Sequence, residues 1–173
     1  MSTTNSTAVR ATVTHWETTL FSAGPVAPGG SARGRGWDAP AYDGIDDQPA
    51  DARTRLDRVS ARAAFQEVLH RRAVLVDIRP AAQRAVEGEV AESLAPLVVE
   101  RNALEWRFDP RHEARLPQAG FDARVILMCQ EGYTSSLAAE VLLRLGVARA
   151  TDVVGGFAAW RSAGLPVGDR NRG

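Results

Sequence analysis

Apolar residues in this chain come in short blocks separated by polar, Gly and Pro punctuation. The clearest is Val125-Ile126-Leu127-Met128, an uninterrupted and partly β-branched run of the kind that forms a strand buried on both faces. Similar blocks occur at 73–77, 97–99 and 150–154, and Val59-Ser60 suggests a brief opening strand. Between them the spacing turns helical. Ala64, Phe65, Val68 and Leu69 place an apolar stripe on a helix over 61–71 with Ser60 as its N-cap. A short helix is predicted over 80–86, with Pro80 in its first turn and Gly88 beyond it. Asn102 with Glu105 reads as a capping box opening a helix through Leu104, Trp106 and Phe108. Leu137, Ala138, Val141, Leu142 and Leu145 share one face of a helix that Ser135 would cap and Gly146 would stop. A last helix follows Gly155-Gly156 through Phe157-Ala158-Ala159-Trp160-Arg161.

Strands and helices alternate about five times, which predicts an α/β fold with a mostly parallel five-stranded sheet and helices on both faces. In such sheets sites lie at the carboxyl ends of strands. The blocks at 125–128 and 73–77 end in Cys129 and in Asp77 with Arg79. Residues 1–55 show no sustained periodicity. They are rich in Thr and Ser up to residue 19, in Gly and Pro over 24–36, and in Asp over 38–51. They are expected to be a disordered or loosely structured extension before a domain over 56–173. Trp16, Phe21 and Trp37 are candidates for docking on the domain or on a partner. Its Ser, Thr and Arg content up to Arg35 is transit-peptide-like, but Glu17 and the later Asp residues weigh against that reading.

Charge and cysteine content narrow the chemistry. Basic and acidic residues number 21 each, so nothing points to nucleic acid or an anionic membrane. All the basic residues are Arg, which rules out a Schiff-base lysine and leaves anion binding to guanidinium or backbone amides. One cysteine in 173 residues permits no internal disulfide, in keeping with a reducing cytoplasm. No apolar run nears the roughly 20 residues of a membrane helix, and a soluble, cytoplasmic protein is expected. His15, His70 and His112 are too scattered to suggest a metal site, and neither a metal nor a cofactor is expected. No nucleophile elbow, phosphate-binding loop or dinucleotide fingerprint is present.

Cys129 is the candidate nucleophile. A cysteine at a strand end, followed by a tight loop and a helix start, faces unpaired backbone N–H groups and the positive end of a helix dipole. A buried core cysteine is the plainer alternative.

Four pieces occur in the order found in rhodanese (sulfurtransferase) domains, over about residues 57–168. They are Val59-Ser60 before a helix, Asp77-Ile78-Arg79 after a strand, Cys129-Gln130-Glu131-Gly132-Tyr133-Thr134-Ser135, and Gly155-Gly156 leading to Trp160 and Gly164-Leu165-Pro166. The chain resembles that family. The resemblance implies a three-layer α/β sandwich in which Cys129 forms a persulfide and hands its outer sulfur to an acceptor. Gln130, Glu131, Gly132, Tyr133, Thr134 and Ser135 would form the persulfide-binding loop, with Thr134 and Ser135 as hydroxyl donors or simple helix caps. Asp77 and Arg79 would support the loop or only pair with each other. The implied partners are a small sulfur donor, thiosulfate or a persulfide, and a thiol, cyanide or protein sulfur acceptor.

Two departures stand out. Relatives often carry Arg in the loop or at its sixth position, where this chain has Thr134, and Glu131 brings a negative charge instead. At roughly 6 Å such a charge costs an incoming anion on the order of 1–3 kcal/mol, so weak use of thiosulfate and preference for a persulfide are expected. Arg101 and Arg107 are outlying candidates for an anion contact. The stretch 87–99 also lacks the His-Ile-Pro-Gly-like turn of many relatives. Two other functions compete: a non-catalytic docking module on the same fold, and a cysteine phosphatase or arsenate reductase. The latter needs an Arg to close the loop on an oxyanion, and none is there.

Overall fold

A computed structural model describes residues 40–168. The expectations for 1–39, including the docking aromatics and the transit-peptide reading, lie outside the described residues. The β-branched runs form strands β1 (Val74–Asp77), β2 (Leu97–Val98), β3 (Val125–Met128) and β4 (Thr151–Asp152), all parallel, in the order β2-β1-β3-β4. The expected fifth strand is reduced to one parallel bridge, Val59 to Val153, beside β4. Ser60 begins the next helix immediately, so the chain has no length left to extend a ladder. The sheet therefore has four strands rather than five.

Among the described residues six helices accompany it: α1 (Asp47–Arg53), α2 (Ala61–Leu69), α3 (Ala81–Glu87), α4 (Leu104–Phe108), α5 (Thr134–Arg144) and α6 (Gly156–Ser162). Ser60 caps α2 as expected, its Oγ accepting from the Ala63 amide at 3.2 Å. α5 ends in a Schellman turn: Val147 N–H donates to Leu142 O, Gly146 N–H donates to Leu143 O, and Gly146 takes φ +93°. The Asn102–Glu105 capping box is not formed. Residues 101–103 make a tighter 3₁₀ turn, Ala103 stands at the helix start, and Glu105 pairs with Arg101. α4 turns Leu104 and Phe108 inward, one turn apart, and leaves Trp106 outside. Leu69 also falls off the buried face of α2, which consists of Ala61, Ala64 and Val68.

Alternation along β3 divides the core. Val125, Leu127 and Cys129 face the side covered by α4 and α5, with Leu104, Phe108, Ala138, Ala139 and Leu142. Ile126 and Met128 face α2 and α6, with Ala64, Val68, Phe157 and Trp160. Trp160 is fully buried; its indole N–H donates to Pro166 O at 3.0 Å and its ring meets Phe65 edge-on at 6.0 Å between centroids. This explains why Trp160 and the Gly164-Leu165-Pro166 turn belong together. In the atypical stretch 87–99, Val90 bridges antiparallel to Val167, with Gly88 and Ala95 in the left-handed region.

Ordered structure begins before the expected boundary at residue 56. α1 lies in the segment read as loose, yet Pro49 and Ala52 are buried and the helix packs on α5. Arg55 joins Asp51 of α1 to Glu140 of α5, and with the Tyr42 hydroxyl it holds the Asp51 carboxyl down at about 2. A polar helix with one small apolar contact leaves little periodic signal. Among the described residues no helix is long and apolar enough to cross a membrane.

Because Trp160 fills the centre of one layer, Trp160→Ala is expected to cost about 3–5 kcal/mol. Urea denaturation of variant and parent, compared at equal slope, measures it.

Candidate functional site

The carboxyl end of β3 delivers Cys129 to the mouth of a short loop, and α5 starts on the other side. Gly132 takes φ +81°, a conformation L side chains resist, and so turns its amide toward the sulfur. Two amides donate to Cys129 Sγ, Gly132 N–H at 3.1 Å and Ser135 N–H at 3.4 Å, and the Ser135 hydroxyl oxygen lies 3.2 Å from it. Cys129 is 8% exposed, so the sulfur sits in a nearly closed cradle at the positive end of an eleven-residue helix.

Ser135 is not the N-cap expected from its position. α5 begins at Thr134, and Ser135 lies in its first turn, fully buried. Its side chain serves the site instead of the helix end. Gln130 is half-buried, whereas Glu131, Tyr133 and Thr134 are exposed. Among these, Thr134 makes no described hydrogen bond to the sulfur.

The loop is fixed from three directions. From β1, Arg79 is 1% exposed and pairs with Asp77, Nη2 to Oδ2 at 2.6 Å. It also donates to Gln130 Oε1 at 3.2 Å, Glu87 Oε2 at 3.1 Å and Gly88 O at 3.0 Å, and its guanidinium stacks 3.8 Å above the Phe157 ring. Asp77 and Arg79 thus pair, and Arg79 also reaches Gln130 of the loop. From α6, Phe157 N–H donates to Cys129 O at 2.9 Å and Ala158 N–H to Gln130 O at 3.0 Å. This approach is close enough that a Cβ on Gly156 would stand 2.3 Å from Cys129 O. Behind the loop, Arg53 Nη2 donates to Gly132 O at 2.9 Å and Arg58 Nη2 to the same oxygen at 3.3 Å.

Arg58 and Asp152 were not singled out by the sequence reading. Asp152 is fully buried in β4 and accepts from Arg58 Nε at 2.7 Å, Arg58 Nη2 at 3.0 Å, Ser135 Oγ at 3.0 Å and Ser136 Oγ at 2.9 Å. The available signal was an acid inside an otherwise apolar strand block, since a buried charge requires a partner. Arg101 and Arg107 do not join the site. Arg101 pairs with Glu105, and Arg107 donates to Ala114 O.

A family model for the rhodanese-like domain matches residues 61–163. The chain belongs to the rhodanese-like domain family. Thiosulfate sulfurtransferase GlpE of Vibrio cholerae is 42% identical over 52 residues, 30% of this chain and 49% of GlpE. The adenylyltransferase and sulfurtransferase MOCS3-2 of Zea mays is 32% identical over 87 residues, 50% of this chain and 17% of that protein. The rhodanese-like chain thus spans half or less of each of these curated relatives. Among solved structures, a protein of unknown function from Rhodopseudomonas palustris, described as a possible tyrosine phosphatase, superposes with TM-score 0.65 at 25% identity. That match covers 76% of this chain and 99% of the other. The polysulfide-sulfur transferase homodimer of Wolinella succinogenes superposes with TM-score 0.60 at 18% identity, over 74% and 90% of the two chains, a likeness of fold. At the level of the family, the sulfurtransferase names among the relatives support a sulfurtransferase.

Gly156→Ala should drive the Cys129–Gln130 backbone away from α6. The expected result is slower alkylation of Cys129 by iodoacetamide and a loss of about 1–3 kcal/mol of stability, the usual cost of overpacking. Alkylation kinetics and chemical denaturation on the same preparation test both.

Proposed function

We propose that this protein is a sulfurtransferase that carries sulfane sulfur on Cys129. The observation supporting it most directly is the cradle of Gly132 N–H, Ser135 N–H and Ser135 Oγ around the sulfur at the start of α5. Those donors suit an anionic sulfur, both as the attacking thiolate and as the terminal sulfur of a persulfide. In the first half-reaction the Cys129 thiolate attacks the outer sulfur of the donor. A new S–S bond forms, the donor's bond to that sulfur breaks, and the leaving group departs with the electron pair: sulfite from thiosulfate, or a thiolate from a persulfide. In the second half-reaction a thiolate or cyanide attacks the outer sulfur, leaving as a new persulfide or as thiocyanate, and the Cys129 thiolate returns. Cys129 is the chain's only cysteine, so no second thiol of the same chain can complete the transfer. Donor and acceptor are therefore separate molecules in a double-displacement cycle.

The loop chemistry favours a persulfide donor over thiosulfate. No cation lies between Cys129 and Ser135, and Glu131 is exposed at the rim. The guanidinium groups of Arg53 and Arg58 are spent on Gly132 O, Ser136 and Asp152. That arrangement also argues against reading this chain as a phosphatase, the activity suggested for the Rhodopseudomonas protein. Gripping three phosphate oxygens calls for a guanidinium directed into the loop.

Intact mass before and after incubation with thiosulfate or glutathione persulfide tests the proposal. A gain of one sulfur is expected, more complete with the persulfide, absent in Cys129→Ser and reversed by cyanide or a thiol. No gain with either donor on folded protein would favour the docking-module reading. Glu131→Gln should raise kcat/KM for thiosulfate about three- to tenfold, an effect that shrinks as salt rises. Steady-state kinetics at two ionic strengths measures this.

A further inference from the structure

Ser135 has one hydroxyl proton and two buried acceptors for it: Asp152 Oδ2 at 3.0 Å and Cys129 Sγ at 3.2 Å. We propose that Ser135 is a two-position proton donor whose orientation is governed by the Asp152–Arg58 ion pair, so that Asp152 is a positioning residue for the sulfur chemistry. When Cys129 is a thiol, its S–H donates to Ser135 Oγ and the Ser135 O–H donates to Asp152. When the thiol proton leaves to water, the Ser135 O–H rotates onto the sulfur anion. No covalent bond changes in that rotation. The anion then has three donors: Gly132 N–H, Ser135 N–H and Ser135 O–H.

The rotation is cheap because Asp152 does not need Ser135. With that hydroxyl turned away, the carboxylate keeps Arg58 Nε at 2.7 Å, Arg58 Nη2 at 3.0 Å and Ser136 Oγ at 2.9 Å. No buried acceptor is left unmet. Ser136 can stay on Asp152 because its other acceptor, Gly132 O at 2.9 Å, is already served by Arg53 Nη2 at the same distance. Arg58 sets the balance: by sharing both carboxylate oxygens it weakens the hold of Asp152 on Ser135. A carboxylate without that cation would keep the hydroxyl, and the sulfur anion would lose its third donor.

Other charges surround the site. Arg53 of α1 stands behind Gly132, the Asp77–Arg79 pair reaches Gln130 from β1, Glu131 is exposed on the loop, and Glu140 of α5 pairs with Arg55 and Arg144. Any of these acts on the sulfur through space, with or without Ser135. The hydroxyl switch acts only through Ser135, which makes it separable.

The inference gains its functional meaning from the sulfur-carrier reading, but its test needs no sulfur donor. The pH profile of iodoacetamide alkylation of the full chain reports the fraction of Cys129 present as thiolate. Ser135→Ala is expected to move the midpoint up by roughly one unit, a tenfold loss of alkylation rate below it, and Ser135→Thr to restore most of it. Asp152→Asn, whose amide donates to Ser135 Oγ and turns the hydroxyl permanently to sulfur, should move the midpoint down by a similar amount. In the Ser135→Ala background most of that Asp152→Asn shift should vanish. An equal shift in both backgrounds would mean that the carboxylate acts as a through-space charge and would overturn the proposal, as would no shift in Ser135→Ala. If thermal melting shows that Asp152→Asn does not fold, Arg58→Gln takes its place. It should raise the midpoint when Ser135 is present and not when it is absent, and an equal rise in both would again overturn the inference. A protein that shows this coupling but gains no sulfur would lose the proposed function and keep the switch.

Discussion

Two backbone hydrogen bonds, from the Phe157 and Ala158 amides to the carbonyls of Cys129 and Gln130, hold the site to the fold. They join the end of one strand to the start of the last helix across a gap that admits no side chain at Gly156. Facing the Cys129 and Gln130 carbonyls toward α6 leaves the Gly132 and Ser135 amides facing the sulfur. Conformation and chemistry are coupled at this point. The same peptide orientations that satisfy the first amides of α6 create the cradle around the sulfur, so the glycine pair matters to the site although it touches no sulfur.

Charge is buried around that junction in two places, and the arrangement is similar in each. Asp77 with Arg79, and Asp152 with Arg58, lie at the carboxyl ends of neighbouring parallel strands on either side of β3. Removing charges from water costs several kcal/mol per ion, which a good pair recovers only in part, so such pairs are weak devices for stability. Their geometry gives them another use. Each guanidinium has more donors than its carboxylate needs and directs the surplus to the loop: Arg79 to Gln130, Arg58 to Gly132. A flexible Lys could not make a bidentate pair and a second fixed contact together, which accords with a chain whose basic residues are all Arg.

The absence of a cation inside the loop is consistent with this division of labour. Positive charge sits behind the backbone, on Gly132 O and Asp152, while Glu131 and Tyr133 are exposed on the loop. Around Cys129 Sγ the loop therefore presents two amides and a hydroxyl, and no guanidinium belongs to residues 129–135.

Much of this was legible in the chain because it depends on local order. The β3 block, the cysteine at its end, the helix after it and Gly146 as its stop follow from periodicity and turn chemistry within about a dozen residues, whereas the association of Trp160 with the Gly-Leu-Pro turn was carried by the family resemblance. What was not legible came from contacts distant in sequence. Ser135 looks like a helix cap, and only the approach of Asp152, 17 residues later, turns it toward the site. Arg53 and Arg58 reach Gly132 across 79 and 74 residues, and α1 buries only Pro49 and Ala52, too little for a sustained apolar stripe. Leu69 and Trp106 obey helical spacing but lie off the buried face, because the neighbouring layer, not the helix, decides which side is covered. Sequence alone determined the order of elements and the strand–cysteine–loop–helix segment, through short-range sterics and hydrophobic period. Tertiary structure decided which charges are buried together and where each hydroxyl points, since those choices are made by partners that meet only after the sheet has formed.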